Sequence, residues 1–436
     1  MMRIPAVVLV VTAFLASAAV AAAQDDEKAR KIKEEAMKER LEAVEKKVNE
    51  GVTFTASNGL RFKSGDGNFE GAIGGRFYFV YRNIFERVDA GTTAANAFIV
   101  DTARIQLDGT FYKDFFYRVE AEAGKGADFF LKDGYVGYKG IENHSFQFGQ
   151  FKEPFSQEEN CSSRFNDFAE RSLVNRLAPT HDVGMMWKGV FAEKILDVEL
   201  GFFNGNGRNQ ATENNDEKDL AVRLRATPFR ASDNDWIKTL RIGLAYTMGD
   251  VDNLALGDVN GGDYSNTNMI DFTGTEDGTR TRIGFELSWL MGPASVRFEY
   301  VTMNREIVTG AGTDDFDTDA LYFQVTYLLT GETKPLENRV VPKEPFSISK
   351  GGWGAWELAF RFATLDASDA DGTGVVGAAA NQEITEMTLG VNWWMTQNVR
   401  LMLNFEMFKF DEDVPQAGGD PIDDQNVFYT RLQIDF

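Results

Sequence analysis

The sequence predicts an all-β fold, a 16-stranded antiparallel transmembrane β-barrel, with a short N-terminal α-helical coiled coil in front of it. Three observations carry that expectation. After Gly51, aromatic and β-branched residues alternate with polar ones to the last residue, the period-two signature of strands with one apolar face. The connections between these runs alternate between short and long, as in barrels that cross a bilayer. The chain also opens with an export signal.

The signal comes first. Arg3 precedes an apolar run from Ala6 to Ala16, and small residues end at Ala21-Ala22-Ala23 before Gln24. This is the charge, hydrophobic core and A-x-A pattern of a cleaved secretory segment, residues 1–23. The run is too short for a bilayer-spanning helix, and no Cys stands near the cut to receive a lipid anchor. Beyond it, no window reaches the roughly eighteen apolar residues of a membrane helix.

Residues 24–51 follow, composed almost wholly of Glu, Lys, Ala and Arg. Met37, Leu41, Val44 and Val48 recur at coiled-coil spacing, so this segment is expected to form a periplasmic coiled coil. Upstream, Arg30 and Glu34 fall in the seam, which limits the pattern to about two heptads. A solvated single helix or linker is the alternative.

Residues 52–436 are expected to form the barrel. The sixteen strands read from the alternation cover 68–82, 97–111, 114–124, 129–139, 143–152, 182–191, 194–205, 217–228, 236–249, 279–292, 294–305, 318–331, 352–366, 382–396, 398–411 and 425–436. A weaker piece at 59–64 either pairs at an edge or leads in. Turns such as Lys113-Asp114 and Ala192-Glu193 alternate with long segments such as 83–96, 153–181, 250–278 and 306–317. One connection, 332–351, is long but falls on the short-turn side. The chain ends FYTRLQIDF, and its terminal Phe436 is the kind of residue that barrel-assembly machinery reads.

A barrel of this size is wide enough for an aqueous channel, and with the apolar parity in lipid the other parity faces the lumen. The basic lumen residues are then Arg76, Arg104, Arg118, Lys188, Arg223, Arg225, Arg241, Arg282, Arg297, Arg361, Arg400 and Arg431. The acidic ones are Asp108, Glu120, Glu122, Asp197, Glu199, Asp219, Glu286, Glu299, Glu357, Glu406 and Asp435. This near balance leaves two readings: a basic strip on which anions step, or cross-strand ion pairs that solvate the wall. Arg223 and Arg225, two like charges on one face of one strand, are expected to be the harder pair to neutralise. Lys132 and Lys152 lie near strand ends and have no assigned face.

Selectivity requires something to narrow so wide a barrel. The polar segment 153–181 is the candidate, with Arg164, Arg171 and Arg176 available to line a constriction and Glu158, Glu159, Asp167 and Glu170 to fasten it. The expected solute path is therefore Arg76, Arg104, Arg118, Arg164, Arg171, Arg176, Arg223, Arg225 and Arg361.

Composition excludes several other functions. A net charge of −22 speaks against nucleic-acid binding. The single Cys161 gives no disulfide framework. With only His144 and His181, no Ser–His pair shares one lipid-facing parity, so an enzyme is not expected. No cofactor or metal is expected. Asp366, Asp369 and Asp371 before Gly372 resemble a calcium loop only in outline, and a solvated acidic loop is the preferred reading.

The run GQFKEPFSQEE followed by FAERS and LAPTHDVG resembles the phosphate-selective porin O and P family of Gram-negative outer membranes. So do DGTFYKDFFYRVEAE with KDGYVGY, and LLTGE with GAWELAFRF. The resemblance covers about residues 70–436. It implies a homotrimer of 16-stranded barrels in outer-membrane lipid, with inward-folded loops and an Arg- and Lys-lined path for phosphate or related small anions. It also implies that the long turn after LLTGE folds inward. His181 stands where the family has a basic residue. A general diffusion porin with little or cation preference remains the alternative, its coiled coil serving as trimerisation device or cell-wall tether.

Overall fold

The structure is a computed structural model describing residues 33–42, 51–56, 59–85, 96–124, 127–210, 215–260, 268–309, 312–370, 381–415 and 420–436. The signal at 1–23, Val44, Val48 and Asp371 lie outside the described residues. Residues 33–42 form a helix whose Leu41 alone is partly covered.

The strands, in order, are β1 (Thr53–Ala56), β2 (Leu60–Lys63), β3 (Phe69–Ile84), β4 (Asn96–Phe111), β5 (Phe115–Gly124), β6 (Ala127–Ile141), β7 (His144–Lys152), β8 (His181–Phe191), β9 (Leu196–Phe203) and β10 (Asp219–Ala226). They continue as β11 (Arg241–Ala255), β12 (Val259–Asn260), β13 (Asn268–Ile270), β14 (Thr275–Met291), β15 (Ala294–Thr309), β16 (Gly312–Leu328), β17 (Ala355–Asp366), β18 (Glu383–Trp394), β19 (Val399–Val414) and β20 (Ile422–Asp435). Eighteen of them form one antiparallel sheet, and β12–β13 make a small separate ribbon. Pairing of β20 with β3, from Val427↔Ile84 to Asp435↔Arg76, closes a ring of sixteen strands. All sixteen expected strands are there, in the expected order. The weaker piece is β2, which pairs with β1 and with the start of β3 below the ring's closing seam.

Local chemistry explains the turns. Tyr112 and Lys113 both adopt positive φ (49° and 65°), the geometry of tight hairpins whose twist matches the strands. Three expectations need correction. The segment 250–278 is strand at both ends, because β11 stays paired with β14 as far as Ala255↔Thr275. Residues 306–309 and 312–317 are strand and not loop, because β15 and β16 stay paired from Ala294↔Tyr327 as far as Thr309↔Gly312, carried by Ile307, Val308 and Thr313. β11 begins at Arg241 instead of 236, because Asn234 accepts from the Trp236 amide at 2.9 Å and breaks the strand first.

The exterior is apolar. Phe77, Phe79, Phe98, Leu244, Ile283 and Leu389 are all exposed, Phe98 by 73%. So much outward-facing aromatic and aliphatic surface is a liability in water and the requirement for contact with lipid. The interior is not an empty tube. Val80, Phe155, Leu173, Val174, Leu177, Met269, Phe316 and Phe408 join one buried cluster, so segment 153–180 and residues 256–260 and 268–272 pack inside the ring against β11, β15–β20 and β3. The turn after β16 also enters: Lys334 is 3% exposed, and Val340 packs with Leu328, Ala355 and Trp394.

Candidate functional site

The segment between β7 and β8 determines what remains open. Ser156 caps the single helical turn Gln157–Asn160, its hydroxyl accepting from the Glu159 amide at 3.1 Å. That turn is pinned to the wall by Glu299, which accepts from the Ser156 hydroxyl at 2.8 Å and from the Gln157 and Glu158 amides. Further along, the wall supplies donors to loop carbonyls. Arg400 donates to Asn166 at 2.8 Å, Asn392 to Asp167 at 2.8 Å, Arg431 to Ala169 at 2.9 Å and Arg361 to Glu170 at 3.0 Å. Lys334, from the inward turn, pairs with both Asp167 and Glu357. Buried backbone carbonyls must find donors. These arginines are therefore structural partners of the loop.

On the opposite side, between the loop and β3–β8, lies a cavity of about 230 Å³. Arg76, Arg104, Arg118, Lys132, Lys152, Arg171 and Lys188 line it, with His181, against the carboxylates Glu120, Asp133 and Glu159. Each carboxylate lies between two basic groups. Glu120 pairs with Arg76 at 2.9 Å and Arg104 at 2.8 Å. Asp133 faces His181 at 3.4 Å and Arg118 at 3.7 Å. Glu159 faces Lys152 at 3.1 Å and Arg171 at 3.3 Å. Seven arginines and lysines stand against these three carboxylates and against Glu122 and Glu199, which pair with Arg104 and, at 2.9 Å, with Lys188, so the slot keeps a small excess of positive charge, and an anion entering it meets donors on several sides.

Electrostatics of the loop fit this picture. Burial pushes the Glu159 carboxyl up, yet Arg171 and Lys152 outweigh it and hold the group at about 2. Glu153, at the root of the loop, has burial as its dominant influence and is pushed up to about 8 despite Arg282. Burial and the neighbouring Arg76 bring Arg164 down to about 10.

The nine residues expected on the path divide. Arg76, Arg104, Arg118 and Arg171 line the slot. Arg164 stands beside it, donating to Gln106 at 3.1 Å. Arg176 closes the 3₁₀ turn Leu173–Arg176, whose Leu173 and Val174 are buried in the apolar cluster. Arg361 is completely buried, with Glu386 at 2.7 Å, Glu406 at 3.3 Å and Glu158 at 3.5 Å. The pair expected to resist neutralisation does not: Arg223 pairs with Glu286 at 2.7 Å, and Arg225 lies 3.5 Å from Glu199. Strand parity assigns no face to Lys132 and Lys152, and in the structure both line the slot. A β-bulge explains Lys132: Glu120 pairs with Asp133 but Ala121 with Leu131, so Lys132 is the extra residue, and a bulge re-aims a side chain. Asp366 accepts from the Ser368 amide and Asp369 from the Asp317 amide. Among the described residues no group of three or more His, Cys, Asp and Glu is placed to hold a metal.

The comparisons with known proteins agree with this architecture. The family described as phosphate-selective porin O and P matches residues 72–436. Porin O of Pseudomonas aeruginosa is 25% identical over 420 residues, covering 88% of this chain and 92% of its own. Among solved structures, the outer-membrane channel DcaP of Acinetobacter baumannii aligns with a TM-score of 0.55 at 13% identity, over 86% of this chain and 99% of that one. OmpT of Vibrio cholerae, in its trimer form, aligns with a TM-score of 0.52 at 12% identity, over 84% and 99%.

Proposed function

This chain belongs to the phosphate-selective porin O and P family of outer-membrane channels, and we propose that it passes small anions such as phosphate through the slot between the loop and β3–β8. The observation that carries this reading is the excess of cations there, seven against five carboxylates once Glu122 and Glu199 are counted with Glu120, Asp133 and Glu159. A ring of like charge at a narrow point selects the opposite ion. The loop supplies the narrowing, and deleting Gln157 to Ser172 is expected to raise single-channel conductance; an unchanged conductance would remove the loop from the path.

Planar-bilayer recording decides the selectivity. In a KCl gradient the zero-current potential is expected to favour chloride, and millimolar phosphate is expected to depress the current. The rival reading, a general diffusion porin with little or cation preference, draws on the net charge of −22. A cation-favouring or unselective current would select it. The working form is a homotrimer, with residues 24–51 on the periplasmic side holding three chains together and Phe436 presenting the barrel for assembly. Removal of Gln24 to Glu50 is then expected to weaken the trimer on native gels, and an unaltered trimer would rule out that role.

A further inference from the structure

The slot has a second chemical character that inorganic phosphate does not use. The lumen face of β6–β10 should be polar, yet Tyr135, Phe151, Met186, Phe203 and Ala221 pack there as one cluster. The Phe151 ring meets Tyr135 edge-on at 5.9 Å and Phe203 at 5.4 Å. Gly184 and Gly201 make room for it: a Cβ on either would come within 2.6 Å of the Phe203 ring. Tyr135, Phe151 and Met186 line the same cavity as the cations, and the Arg118 guanidinium carbon lies 6.0 Å from the Tyr135 ring centre.

We infer that this apolar patch beside Arg118 and Lys188 is a binding subsite for small aromatic carboxylates, which cross the slot with the carboxylate on the cations and the ring against the half-buried Tyr135, held in place by Phe151 and Met186, 3% and 5% exposed, behind it. The inference rests on the anion reading above. A phosphate ion is hydrated on every side, so apolar wall next to it only removes hydrogen-bond partners. An aromatic acid has two unlike ends that match the two unlike surfaces, the usual arrangement of apolar lining with a few placed polar groups. Ring-on-ring contact at these separations adds to the burial of apolar area.

The test uses the full-length protein in planar bilayers, with chloride carrying the current and benzoate or acetate added. Both are monoanionic carboxylates at neutral pH, so their difference isolates the ring. Benzoate is expected to half-block the current at a concentration about tenfold below that of acetate. Phe151→Leu, which keeps the cluster filled, and Tyr135→Leu are each expected to bring that ratio towards one. Equal block by the two acids in the natural protein, or an unchanged ratio in both variants, overturns the aromatic subsite. The zero-current potential separates the failures. If it favours chloride while the ratio is one, only the subsite falls; if it favours cations, the anion reading falls with it.

Discussion

The two halves of the lumen use the same residue type for opposite purposes. Arg361, Arg400 and Arg431 on β17, β19 and β20 are each 2% exposed or less, and they give their hydrogen bonds to loop carbonyls and buried carboxylates. Arg118 on β5 keeps about a third of its side chain exposed and faces a carboxylate only at 3.7 Å. Both sets occupy inward parity on the same sheet. The difference lies in what packs against them: the loop covers one half and leaves a water-accessible slot along the other. A lumen that is neutral by count is therefore divided into a covered half whose ion pairs hold structure and a slot whose ion pairs still face a cavity.

Breaking the covered half gives the largest expected effect. Arg361→Met leaves Glu386, Glu406 and Glu158 without the cation they share. Removing one partner of a buried ion pair costs about 3–5 kcal/mol. The variant is expected to lose heat-resistant folded protein on semi-native gels, and full resistance would show that the cluster is not structural. The open half should behave differently. Arg118→Glu is expected to cost less stability than Arg361→Met, because the Arg118 side chain keeps about a third of its surface in water and its pair with Asp133 is long, although the new carboxylate then faces Asp133. It reverses a charge beside the path, however. Two charge units at about 6 Å in water-like dielectric shift an anion and a cation by about 1.4 kcal/mol each in opposite directions, roughly a hundredfold in the anion-to-cation permeability ratio. A zero-current potential equal to that of the natural protein would place Arg118 off the path.

This division marks how far the sequence is readable. Sixteen strands and the inward parity of Arg76, Arg104, Arg118, Arg361, Arg400 and Arg431 follow from alternation, since one register slip would turn each strand inside out. The position of the loop followed from its length and polarity. What alternation could not supply is partnership. Arg361 and Arg118 carry the same residue type on the same parity, and only long-range packing by segment 153–180 assigns one to Glu170 and the other to water. Lys132 was hidden by a bulge that breaks the period on which parity depends. The signal that could have found the slot cations is local density: Arg76, Arg104, Arg118, Lys132, Lys152 and Lys188 all fall on β3 to β8.

The smallest effect concerns the loop that separates the halves, and its dependence on pH has opposite slopes at the two ends of the range. Glu159 is held at about 2 against an ordinary value of 4.5, so its contribution is fully present above about pH 4.5 and is lost as pH falls towards 2. Glu153 is shifted the other way, to about 8, so it favours the folded loop while protonated, and that contribution fades as pH rises from about 4.5 towards 8. The loop is therefore loosened by acid through Glu159 and by base through Glu153. Single-channel recordings across this range are expected to show current fluctuations rising at both ends. Glu159→Gln also removes the carboxylate clamp on Lys152 and Arg171, so it should show the acid behaviour already at neutral pH. Glu153→Gln, a neutral group in a buried site, should keep the loop quiet up to pH 8. Fluctuations that rise equally in the Glu153→Gln variant would assign the alkaline limb to another group and leave the acid limb with Glu159.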